Sequence, residues 1–136
     1  MRRQIWVSGM LLLAAGCSTD SGQRIKSGSE AVGQWQHFYQ RDFPEARRLD
    51  YFYDQSHVYV NQGHVVGRWK VLGSPVQTTT LYVIDISCRD GTFTEKETVI
   101  IDAERRTRHL TPVERYANRP IKTGTSGDLF RQRFCH

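Results

Sequence analysis

A chain of 136 residues with a formal charge of +5 and 38 % hydrophobic content has room for one small domain and a tether. A second domain does not fit. Beyond the first sixteen residues no apolar run approaches the about 20 residues that a membrane helix requires, which excludes a spanning segment in the remainder.

The start of the chain has its own logic. Arg2 and Arg3 precede an apolar stretch from Ile5 to Leu13, which ends in Leu13-Ala14-Ala15-Gly16-Cys17. Basic residues, a short apolar run and small residues before a cysteine resemble a bacterial lipoprotein signal, with cleavage after Gly16. One place departs from the common pattern: Ala14 stands where leucine is usual. The resemblance implies a signal peptide over 1–16 and a lipid on Cys17, so that the remaining 120 residues sit on a membrane without crossing it. An ordinary secretory signal is the competing reading.

Export into an oxidising compartment leaves Cys88 and Cys135 as the two cysteines free to pair, and a disulfide is expected between them. Closing that loop stabilises the fold by about 4 kcal/mol in the chain-entropy picture. A metal or redox site is the rival, but the pair lacks C-x-x-C spacing.

Removing 1–16 lowers the charge to +3, and what remains is uneven: residues 17–104 hold nine Lys or Arg against twelve acids, whereas 105–136 hold eight against two. The C-terminal third is therefore basic. Arg105, Arg106, Arg108 and His109 form its densest group and a candidate partner-binding patch for sulfated glycans, anionic head groups or acidic protein segments. A solvated loop is the simpler reading. Nucleic acid is not expected, because no nucleic-acid-binding motif is present and the chain is exported.

In chain order, Ser18 to Gly28 is rich in Ser, Gly and charge and reads as a flexible tether, the tether region as a whole extending over 17–47. Ser27 and Glu30 have capping-box spacing, and Val32, Trp35 and Tyr39 follow at helical intervals, so a short helix is expected over about 29–40. Phe43-Pro44 would stop it. From Leu49 the period changes to two: Leu49, Tyr51 and Tyr53 alternate with Asp50, Phe52 and Asp54, and Val58 and Val60 share a face. Asn61-Gln62-Gly63 is a turn into a strand over His64 to Leu72, which Gly73-Ser74-Pro75 ends. Thr78 to Arg89 reads as a long strand whose Tyr82, Ile84, Ile86 and Cys88 form the buried face. Asp90-Gly91 signals a short hairpin returning through Thr92 to Asp102. Arg108 to Arg115, interrupted by Pro112, is expected as an edge strand. Ser126 is the expected N-cap of a terminal helix in which Leu129, Phe130 and Phe134 form the buried stripe. The sum is an α+β domain over 48–136: a small antiparallel meander packed by a C-terminal helix.

Four pieces in this order resemble the surface-adhesin protein E domain: Tyr51-Phe52-Tyr53-Asp54, the strand with Val65, Val66 and Trp69 after Gly63, Ile86-Ser87-Cys88, and Gly124-Thr125-Ser126-Gly127-Asp128-Leu129 through Cys135. The resemblance covers about 48–135. It implies an antiparallel sheet packed by a helix on an exported, often lipidated chain, adhesion to host matrix proteins, and a tendency to form a homodimer. A shared fold does not carry function with it. The family's ligand-binding segment is basic and loop-like, which Arg105 to His109 resembles in charge alone.

Catalytic and metal signatures are not found in the sequence. Gly124-Thr125-Ser126-Gly127-Asp128 has Asp where a nucleophile elbow requires glycine. His57, His64 and His109 lack zinc-ligand spacing, and Glu95 and Glu97 lie two apart as on a solvated strand face. No enzyme activity, cofactor or metal is expected. The consecutive rings of Tyr51, Phe52 and Tyr53 must supply both strand faces, either as an interface or covered by the terminal helix and the Trp35 segment. The leading expectation is a lipid-anchored outer-membrane binding module that docks a protein partner through a sheet face or the basic C-terminal third. Ser18 after the cysteine favours the outer membrane, since inner-membrane retention usually goes with Asp there. The alternative is a structural or accessory lipoprotein of a periplasm-facing envelope complex.

Overall fold

The computed structural model describes residues 33–136. The signal segment, Cys17, the Ser18–Gly28 tether and the first part of the expected helix lie outside the described residues. Strands β1 (Trp35–Asp42), β2 (Arg48–Asn61), β3 (His64–Ser74), β4 (Thr78–Ser87), β5 (Thr92–Ile101) and β6 (Thr107–His109) pair antiparallel in chain order, and β7 (Arg119–Pro120) pairs with the opposite end of β5. Helix α1 (Ser126–Phe134) follows. The domain is dominated by its sheet, with one helix and one disulfide among the described residues, and is more β than the expected α+β balance.

Period-two sequence builds this sheet. Tyr53, Trp69 and Tyr82 lie in register across β2, β3 and β4, and Val65 and Ile86 lie in register across β3 and β4. Tyr53, Val65, Trp69, Ile84, Ile86 and Phe130 of α1 form one buried cluster. The expectation of a single buried face on β4 needs correction. Leu81 and Val83, on the opposite face, are equally enclosed and cluster with Val99 and Ile101 against Trp35 and Val66. At fully buried positions the polar-out half of the alternation is lost.

The expected helix over 29–40 is overturned where the structure describes it: Trp35–Asp42 is edge strand β1, and the folded unit begins ahead of residue 48. The physical reason is a bulge at Phe38, which the β1–β2 register skips between His37 and Tyr39. Phe38 packs edge-on against Tyr51, Tyr53 and Trp69, a set of contacts that a solvated helix would not gain.

The β2–β3 turn is as expected. Gln62 and Gly63 both take positive φ, 49° and 77°, the two-residue geometry whose twist matches that of the strands. Asp90-Gly91 belongs instead to a four-residue connection between Ser87 and Thr92, with Gly91 at φ 66°. Cys88 therefore lies in that loop rather than on the strand. The expected strand from Arg108 to Arg115 is confined to Thr107–His109; Pro112–Glu114 is a 3-10 turn in which the Thr111 amide and hydroxyl both donate to Glu114 Oε1. Pro112 has no amide proton to continue the ladder.

Helix α1 is capped by Thr125, one place earlier than the expected Ser126: the Thr125 Oγ1 accepts from the Asp128 amide, and Ser126 is the first helical residue. Phe130 alone of the expected stripe is fully buried; Phe134 is half-buried and Leu129 is exposed. The helix end is fastened by the Cys88–Cys135 disulfide, with Cα atoms 5.6 Å apart, and by Arg131 Nη2 donating to the Cys88 carbonyl at 2.8 Å.

Candidate functional site

The basic cluster expected from sequence lies on and beside edge strand β6. Arg106 donates to Asp102 at 2.9 Å and to Glu104 at 3.3 Å, and Arg108 donates to Glu114 at 2.7 Å. The Arg106 amide and then its guanidinium hold the Asp102 carboxyl below its ordinary range; the Thr111 amide and the Arg108 guanidinium do the same for Glu114. Arg105 takes φ 64° in the connection before β6, and His109 is exposed. Much of this charge is therefore met locally. A charge count that begins at Arg105 leaves out Asp102 and Glu104, which face the same arginine.

A second polar centre is buried. Asp54 on β2 has no solvent-exposed surface, and its carboxylate accepts from the Gln34 and Ser56 amides and from the Ser56 hydroxyl at 2.6 Å, with Arg68 Nη1 ion-paired to it at 3.3 Å and His57 Nδ1 at 2.8 Å. Burial works to raise this carboxyl, but the hydrogen bonds from Ser56 and Gln34, with His57 beside it, hold it below its ordinary value. Ser, His and Asp side by side invite comparison with a nucleophilic relay. Ser56 Oγ and Asp54 Oδ2 both address the same ring nitrogen, His57 Nδ1, so the imidazole does not bridge the hydroxyl and the acid as a relay requires. The geometry is that of a structural clamp over the irregular pairing between Tyr53 and Val58.

The third place is a cleft of about 450 Å³ across the sheet face at the start of α1. Trp69 of β3, Phe93 of β5 and Tyr116 supply its rings; Arg41 of β1, Arg119 of β7 and Lys122 supply its charge. Backbone pairing fixes these positions. Phe93 and Arg119 are in register, the Ile121 amide donates to the Gly91 carbonyl at 2.9 Å, and the Glu95 amide donates to the Tyr116 carbonyl at 2.8 Å. In return Glu95 Oε2 accepts from the Tyr116 amide at 3.3 Å, and burial pushes the Glu95 carboxyl above its ordinary value. The Arg119 guanidinium lies 4.9 Å from the Tyr116 ring centre. Among the described residues no carboxylate lies within ion-pairing distance of Arg41, Arg119 or Lys122.

Arg119 and Lys122 belong to the basic third that composition singles out, but they lie outside its densest group. Arg41, Trp69 and Phe93 carry no sequence signal for this cleft, because it is assembled by pairing between strands far apart in the chain. The consecutive rings are divided as strand geometry requires: Tyr53 packs on Phe130 and Phe134 of the helix, while Phe52 lies beneath Lys70, whose Nζ is also 4.6 Å from the Trp35 ring centre. Comparisons with protein-family models, with curated proteins and with solved structures find no match for this chain.

Proposed function

We propose that the chain is a lipid-anchored outer-membrane binding module, adhesin-like, that docks a protein partner through its basic C-terminal third. The lipoprotein-like start with Cys17, Ser18 after it, and the resemblance to surface-adhesin protein E support the anchor and the class. One observation carries the choice of surface: Arg119 is stacked on the half-exposed ring of Tyr116 beside Lys122, and neither cation meets a carboxylate among the described residues, whereas Arg106 and Arg108 are held by acids of their own chain. Tyrosine and arginine are the side chains that interfaces favour, and unneutralised charge steers an acidic partner.

A photo-cross-linking residue placed at Lys122 or, separately, at Arg106 in the full chain tests this in intact cells. Adducts from position 122, few from 106, and loss of both on Cys17→Ser are the expected result. Adducts from neither position, or a purified chain that keeps Met1 and carries no acyl group, overturn it. An adduct of twice the chain's mass assigns the partner to a second copy.

A further inference from the structure

The cleft in front of Trp69 shares Tyr116, Arg119 and Lys122 with the proposed docking surface, and its rings and volume point beyond the docking of a protein. We propose that it is a binding site for a small ligand that joins a planar apolar body to one anionic group of the carboxylate or sulfonate type. Its volume of about 450 Å³ falls in the range of small-molecule sites, and three aromatic side chains from separate strands and the Tyr116 loop line it. Rings of this kind take a flat apolar body by edge or face contact.

The charge of the ligand follows from what surrounds the body. Arg41, Arg119 and Lys122 line the same cleft, and no acidic side chain among the described residues does. Two acids on the elements that flank the cleft are engaged elsewhere: Glu95 of β5 holds the Tyr116 amide and the Thr98 hydroxyl, and Asp128 of α1 accepts from the Gly124 amide and from Gln132. A cationic ligand would be repelled by three charges, and a neutral one would leave them without a counter-charge. The Arg119 guanidinium is oriented in advance by its stack on Tyr116, which lowers the ordering cost of using it.

Trp69, 5 % exposed, is part of the cleft lining with Phe93 and Tyr116, and the three cations stand on the same lining. Rings and cations together thus specify a flat body that carries a negative charge.

The test uses the full chain with its disulfide intact, titrated with 2-naphthoate and followed by calorimetry and by the indole ¹H–¹⁵N resonances. The expected result is saturable one-site binding in which the Trp69 indole resonance moves and that of Trp35 does not. The neutral 2-naphthamide should bind roughly tenfold more weakly or worse, since the charge-assisted bonds are lost, and acetate should not saturate. The double variant Arg119→Gln, Lys122→Gln, at two sites that carry none of the buried core, should weaken 2-naphthoate by a similar factor with unchanged thermal unfolding. No binding at millimolar 2-naphthoate, equal binding of the amide, an unmoved Trp69 resonance, or full affinity in the double variant each overturns the proposal.

Discussion

The ring of Phe130 rests on Gly67: a Cβ built on that glycine would lie 2.6 Å from Phe130 Cζ. The helix docks at a place on β3 where the sheet offers no side chain, so that a ring stands where a methyl would be. Gly67→Ala should cost roughly 2 kcal/mol, the usual scale of overpacking a close contact, and Phe130→Ala roughly 4 kcal/mol through lost burial and the cavity left behind. Urea denaturation with tryptophan fluorescence reads both. A neutral Gly67→Ala would mean that α1 shifts freely over the sheet.

The same helix is fastened at its far end. Cys88 and Cys135 close a loop across a sequence separation of 47, so Cys135→Ser should lower stability by about 4 kcal/mol in the chain-entropy picture. Because Arg131 also grips the Cys88 carbonyl, the reduced protein should keep α1 near the sheet while its amides exchange faster. Hydrogen exchange of the oxidised and reduced forms measures this. Equal protection at Phe130 would show that packing alone holds the helix.

Asp54 gives the fold a defined dependence on acid. Its folded value is held below the ordinary one, so its stabilising contribution is present above the unfolded value of about 3.9 and is lost as pH falls through the lower folded value. Asp54→Asn leaves Arg68 buried at 12 % side-chain exposure without its counter-charge, and should destabilise by about 3 kcal/mol at pH 7. The variant should also lose less stability than the parent as the solution is acidified through that range. Parallel slopes there would remove Asp54 from the acid response.

How much of this was legible in the sequence depends on how local the cause was. The β2 to β5 meander was readable, since Tyr51, Tyr53, Val65, Trp69, Ile84 and Ile86 obey period two and the Gln62-Gly63 turn declares itself in the sequence. The terminal helix was readable for the same reason, apart from a one-residue shift of its cap. Strand β1 was not, because the bulge at Phe38 breaks the alternation and leaves Trp35 and Tyr39 at a spacing that mimics a helix turn. The cleft was half legible: Arg119 and Lys122 lay inside the basic third, but only strand order brings Arg41 and Trp69 to them. Charge density along the chain pointed to Arg106 and Arg108 without seeing that their acids fold back onto them.

That self-neutralisation has a measurable consequence. Glu114 accepts from Arg108 Nη1 and from the Thr111 amide and hydroxyl, so it both closes the 3-10 turn and screens the arginine. The substitution Glu114→Gln keeps much of the side chain's shape and hydrogen bonding while releasing the guanidinium's charge. Retention on immobilised heparin should then move to higher salt, and by more than Glu45→Gln moves it, although both changes add one unit of charge. The difference between the two reports the local field at Arg108 rather than net charge, and it should shrink as salt shortens the screening length to about 3 Å at 1 M. Equal shifts for the two variants would mean that Arg108 was already free to meet a sulfated partner, and the preference for Arg119 and Lys122 as the docking cations would lose its basis.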